Sequence, residues 1–195
     1  MVAEPRNRIV GLEALLKAEA GRGRPPVEAW NPPYCGDIGL VIGADGAWQY
    51  RGSPIGRMAL VKLFASVLRK DADGRHYLVT PAEKVDVAVA DAPFLAVEME
   101  VRGEDRAQEL IFRTNVDDIV TASTAHPLRF ELEAGSGGLK PYLGVRGRLE
   151  ALATRAIAWD LAQLAMAAAE AGLPLGLWSG GAFFALPSAA AGPAS

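Results

Sequence analysis

The residues able to do chemistry in this chain are mostly cationic or aromatic, and most lie beside turns. Arg57 closes the stretch YRGSPIGR (residues 50–57), which sits between a strand-like run and the apolar run MALVKLFASVLRK. Arg113 and Asn115 alternate along a strand-like segment, so one face could present both to a ligand, with Asp117 and Asp118 close behind. Lys140, Tyr142 and Arg146 follow a glycine-rich turn, and Trp178 is followed by the small residues Ser179-Gly180-Gly181. Lysine and arginine would hold negative charge, Asn115 would hydrogen-bond, and the two aromatics would stack on a planar group. These seven residues are the expected ligand site. Each has a structural alternative: the glycines can serve packing, the arginines can pair with acids, and Asp117 and Asp118 can turn or cap the chain.

Catalytic and metal chemistry finds less support. The two histidines, His76 and His126, flank a turn and a proline, and no serine or cysteine sits in a recognisable nucleophile context. Cys35, the single cysteine, forms no intramolecular disulfide, and no Cys/His cluster suggests zinc. Neither glycine-rich loop ends in the Gly-Lys-Ser/Thr of a phosphate-binding loop, and GSGG (135–138) and SGG (179–181) read as turns and bulges. No catalytic residue, metal or cofactor is assigned. Trp48, Trp159 and Trp178 are expected in the core, with Trp178 the one to test for stacking.

These residues need elements to position them. Residues 6–20 place Ile9, Leu12, Leu15 and Leu16 on one helical face, and GRGRPPVEAWNPP then breaks the pattern. DIGLVI and AWQYR flank the turn Ala44-Asp45-Gly46 as a hairpin, a helix runs through MALVKLFASVLRK, and HYLVTP returns as a strand. KVDVAV, FLAVEMEV and QELIFRTN alternate apolar and polar residues and predict an antiparallel sheet. IVTAS, PLRFELE and KPYLGV continue it, an alanine-rich helix spans about Leu149 to Ala171, and LWSGGAFFAL is a last strand. The tail 188–195 has nothing to bury and is expected to be disordered.

An internal repeat is visible. Residues 38–58 overlay 128–149, pairing Gly56 with Gly147, Arg57 with Arg148 and Met58 with Leu149, as two Gly-Arg entrances to helices. Brought together, those entrances would place backbone N–H groups and arginines around one anion. Charge is also segregated. Residues 46–70 carry five bases and no acid, whereas 83–118 carry ten acids and four bases. The whole-chain net charge of −3 gives no general attraction for nucleic acid, and the late apolar run, interrupted by Asp160 and Gln163, is too short to span a membrane. With no signal-peptide pattern and one cysteine, a cytoplasmic location is expected.

The motifs Cys35-Gly36-Asp37, GSPIGR (52–57), LVTP (78–81), FRTNVDD (112–118), His126-Pro127-Leu128, GLKPY (138–142), Val145-Arg146-Gly147 and LWSGG (177–181) resemble the bacterial family known as domain of unknown function 1285. The resemblance implies two similar α/β repeats, the second pleckstrin-homology-like, with a nucleotide-like ligand at their interface and a link to signalling. The expected fold is therefore α+β: two strand-strand-helix-strand units with antiparallel sheets behind an N-terminal helix. The boundaries are 1–30 for helix and tether, 31–84 and 85–187 for the repeats, and 188–195 for the tail. The expected role is non-catalytic binding of a small anionic, nucleotide-like ligand. A protein-interaction module is the alternative, since sheet edges could accept a partner, and a metal-dependent hydrolase using Asp117 or Asp118 ranks below it.

Overall fold

The computed structural model describes residues 24–187. The amphipathic segment 6–20 and the tail 188–195 lie outside the described residues. The chain divides into two units at Pro93/Phe94. Residues 85–89, assigned to the second repeat by the sequence boundary at 84/85, continue the strand that begins at Lys84 and pair within the first sheet.

In the first unit, β1 (Tyr34–Ile42), β2 (Trp48–Tyr50) and β3 (Ser53–Pro54) form an antiparallel meander. Helix α1 (Met58–Ser66) follows, and then a second meander of β4 (Leu68–Lys70), β5 (His76–Val79) and β6 (Lys84–Val89). Period-2 burial of Ile38, Leu40 and Ile42 sets one face of β1 into the core. Leu60, Val61, Phe64 and Ala65 turn one stripe of α1 inward, and Trp48 packs against Phe64 with ring centroids 6.1 Å apart. Helix α1 is shorter than its sequence pattern. Val67 and Leu68 are fully buried, as helical spacing requires, but Leu68 pairs with Leu78 across a strand ladder, so the chain leaves the helix at Ser66. Gly39 permits β1 to bend: its φ of +84° suits glycine, and a Cβ there would lie 2.9 Å from Arg51 Cγ.

The second unit comprises β7 (Phe94–Arg102), β8 (Glu109–Thr114), β9 (Ile119–Thr121), β10 (Leu128–Leu132), β11 (Leu139–Arg146), β12 (Leu149–Ala153), helix α2 (Arg155–Glu170) and a separate hairpin of β13 (Gly176–Ser179) and β14 (Ala182–Ala185). The expected helix start at Leu149 is corrected. Residues 149–153 alternate buried and half-buried and pair with both β11 and β7, because Leu149, Ala151 and Ala153 fill one sheet face. Alanine content alone does not distinguish that strand from the helix behind it. The single expected terminal strand is likewise a hairpin turning at Gly180-Gly181.

The two sheets share one plan. The first runs β3-β2-β1-β6-β5-β4, and the second, read in the same sense, runs β9-β8-β7-β12-β11-β10. In each, two antiparallel meanders join through one parallel contact, β1 with β6 and β7 with β12, so the sheets are mixed. The fold is α+β and duplicated, with the long helix behind the second sheet giving that unit its pleckstrin-homology-like form. The duplication has a different register from the sequence overlay. By sheet order, β1–β2 corresponds to β7–β8, whereas the overlay set it against β10–β11. Gly56-Arg57 leads into α1, but Gly147-Arg148 forms the tight turn between β11 and β12, with Gly147 at φ +52°. The shared motif marks a turn after a hairpin strand, not a repeated helix entrance.

Candidate functional site

The seven residues singled out from sequence fall into separate surroundings. Arg57 belongs to the first unit, at the N-cap position of α1, where its carbonyl accepts from the N–H groups of Leu60 and Val61. The other six lie in the second unit. Arg113 makes a two-pronged ion pair with Glu98 on β7 and a 3.0 Å bond to Asp117. Hydrogen bonding from Arg113 holds the Glu98 carboxyl below its usual range, and the same contact raises the guanidinium further. Asn115 is tied to Leu95: its side-chain oxygen accepts from the Leu95 N–H at 3.0 Å, and its own N–H donates to the Leu95 carbonyl. Arg146 pairs with Asp118 at 2.7 Å and stacks 5.0 Å from the Phe94 ring centroid. Asp117 and Asp118, the acids of the hydrolase reading, are thus engaged by arginines. Among the described residues no group of three or more His, Cys, Asp or Glu is placed to hold a metal ion. Tyr142 is 3% exposed, with the Arg129 guanidinium 3.9 Å over its ring, so its face is already covered.

Lys140 and Trp178 line concave surfaces, in two different places. Lys140 belongs to a cleft of about 630 Å³ at the start of α2. Its walls are the β10–β11 turn with Ser136, the ends of β11 and β12, and the first turns of α2 with Arg155, Ala158, Trp159 and Ala162. Helix α2 buries Ile157, Ala158, Leu161 and Ala165, which directs Trp159 outward, 66% exposed. Trp159 is therefore not the core residue expected from its type. Thr154, the N-cap, makes no side-chain cap bond, and the first turn holds no acid, so the positive end of a sixteen-residue helix meets Arg155 and Lys140 at this cleft. Glu133, the one carboxylate among the described residues of the lining, accepts a hydrogen bond from Ser136 Oγ. Two cations, a helix start and a bare indole suit a planar anion.

Trp178 lies on the second concave surface, beside Phe183 at a centroid separation of 5.4 Å. The motif LWSGG builds its hairpin against the sheet. Ser179 Oγ is fully buried, donates to the Ala122 carbonyl at 2.7 Å and accepts from the Leu110 N–H at 2.8 Å, while Gln108 Nε2 donates to the Trp178 carbonyl. A Cβ at Gly180 would lie 2.8 Å from the Ala122 oxygen, at a φ of +54°, so this glycine is required.

The first unit holds a dense polar network absent from the sequence reading. The Tyr34 hydroxyl donates to Asp86, Arg75 pairs with the other Asp86 oxygen at 2.5 Å, and the Tyr77 hydroxyl donates to Asp73 at 2.6 Å. Arg69, 8% exposed, grips Asp71 and donates to the carbonyls of Val27 and Trp30, and Lys84 reaches Asp71 at 3.1 Å while lying 4.4 Å over the Tyr77 ring. The bond to Asp73, aided by burial, pushes the Tyr77 phenol up to about 12. Burial would raise Asp71, but hydrogen bonds from Arg69 and Lys84 outweigh it and hold the carboxyl low. A hollow of about 370 Å³ beside Asp37, Arg75, His76 and Asp86 adjoins this network. Its members bond to one another, which makes a brace for the sheet. Tyr77 and Asp86 lie on strands expected from the sequence, whereas the helical pattern took in Arg69, and the registration of all three across β4, β5 and β6 is not legible in the sequence.

Each unit matches a model of the same protein family. Residues 25–92 match the family model "Domain of unknown function (DUF1285), N-terminal domain", and residues 93–186 match "Protein of unknown function (DUF1285), C-terminal domain". A crystal structure of a DUF1285 family protein from Silicibacter pomeroyi DSS-3 is 42% identical, with a TM-score of 0.77 over 89% of this chain and 95% of that one. A second DUF1285 family crystal structure, from Shewanella baltica OS155, is 29% identical over 63% of this chain and 89% of that one, with a TM-score of 0.49. No curated protein matches.

Proposed function

This chain belongs to the DUF1285 family, and from that premise we propose that it is a non-catalytic binding protein whose second unit takes a planar, anionic, nucleotide-like small molecule in the Lys140–Arg155–Trp159 cleft, a role suited to sensing in the cytoplasm. The observation that carries this reading is the exposed Trp159 indole on a concave surface beside two cations and an uncapped helix start. A large aromatic left two-thirds in water forgoes the roughly 1.5–3 kcal/mol its burial would contribute, so its place in a cleft marks a contact surface. Lys140 and Arg155 would hold a phosphate, the first N–H groups of α2 would donate to it, and the base would stack on Trp159. The cleft's size lies within the range of small-molecule sites. Calorimetric titration of the full chain with AMP, GMP and inorganic phosphate tests it. The nucleotides should bind more tightly than phosphate, and Trp159→Ala should remove that difference.

A further inference from the structure

The Trp178 surface has a different chemistry from the cleft at Trp159. Two contiguous hollows, of about 810 and 400 Å³, share Glu104, Asp105, Leu173, Pro174, Trp178 and Phe183. The smaller continues between Val101 on β7 and the last turns of α2, where Leu164, Ala167, Ala168 and Ala171 line it. The result is an apolar groove. Its far wall is fixed by the end of α2: the N–H of Gly172 donates to the Ala169 carbonyl and that of Leu173 to Ala168, a left-handed closure at Gly172 (φ +84°) that turns Leu173 and Pro174 onto the lip. Leu173 and Val101 are each about two-fifths exposed there.

Charge at the lip is limited and specific. Arg106 lies with its guanidinium 5.2 Å over the Trp178 ring, in ion-pair contact with no carboxylate among the described residues. Stacking on a ring leaves the edge donors of a guanidinium available to an oxyanion. Glu104 and Asp105 line the same lip, so one anionic group meets a cation whereas further negative charge meets two carboxylates. A polyphosphate is disfavoured, and the one attraction offered to an anion is local, a single head group placed on Arg106 away from the two carboxylates.

We propose that this groove binds a monoanionic amphiphile: an unbranched acyl chain along the alanines of α2 and over Trp178 and Phe183, with its carboxylate on Arg106. The site is separate from the Trp159 cleft and stands without it. Decanoate, decanol and decyltrimethylammonium share a chain and differ in head charge, so calorimetric titration of the full chain with each separates groove from head group. Decanoate should bind best, about tenfold more tightly than decanol, the range of one charge-assisted contact. Arg106→Ala should bring decanoate down to decanol. Ala167→Phe, at an exposed helix position where the fold tolerates bulk, should weaken both by about tenfold or more by filling the groove. Failure of decanoate to bind, unchanged binding in Ala167→Phe, or preference for the cationic chain would each overturn the proposal.

Discussion

The two units use one strand order and spend their polar residues differently. In the first, the helix sits between the two meanders, and the charged groups of β4, β5 and β6 close on one another through Arg69–Asp71–Lys84 and Tyr34–Asp86–Arg75. In the second, the helix follows the completed sheet. Its start leaves Lys140, Arg155 and Trp159 around a cleft, and its end leaves an apolar groove at Trp178. The position of one helix along a shared sheet thus decides which unit is braced and which carries open surfaces. Stability should reside in the polar groups of the first unit and binding in those of the second.

The largest effect should come from the brace. Arg69→Ala would leave two backbone carbonyls without their side-chain donor and the half-buried Asp71 carboxylate with Lys84 alone, at a cost of about 2–3 kcal/mol. Chemical denaturation should show it, with AMP affinity of the remaining folded protein unchanged. If Arg69→Ala abolished binding while leaving stability intact, the division of labour would fail. Next, Lys140→Ala and Arg155→Ala should each weaken AMP about tenfold, while their surface positions limit the stability change to about 0.5 kcal/mol.

Two pH effects refine the contrast. Asp71 and Asp73 are both held below their ordinary values in the folded state, so the stability they contribute is present above about pH 4 and is lost as pH falls through their folded values. Acid titration followed by circular dichroism should weaken the protein there, and Asp73→Asn should reduce that dependence. Tyr77 is shifted the other way. Its contribution is full below about pH 10, the ordinary tyrosine value, and declines as pH rises through its folded value of about 12. Phenolate absorbance should show one late-ionising tyrosine that disappears in Tyr77→Phe. An ordinary midpoint for every tyrosine would remove the Tyr77–Asp73 bond from the account.

Strands with clean alternation were readable from sequence, among them DIGLVI, FLAVEMEV and QELIFRTN, because period-2 burial writes directly into residue type. The strand hidden at Leu149–Ala153 was not, since its alanines fit a helix equally well, and that concealed where α2 begins. With the start lost, Arg155 could not be seen as a helix-terminal cation. Trp159 carried a usable signal: it falls two residues after Ile157 and two before Leu161, off the stripe that those residues and Ala165 bury. Arg113, Asn115 and Arg146 were found as polar residues, but a single sequence does not show that Glu98, the Leu95 backbone and Asp118 already engage them.

Ligand binding by the second unit rests on the Trp159 cleft. Calorimetric titration of AMP into the full chain, beside the double variant Lys140→Ala/Arg155→Ala, tests it most directly. Submillimolar binding by the native protein, lost by about a hundredfold in the double variant, is the predicted result. No binding tighter than millimolar, or equal affinity in both proteins, would contradict it.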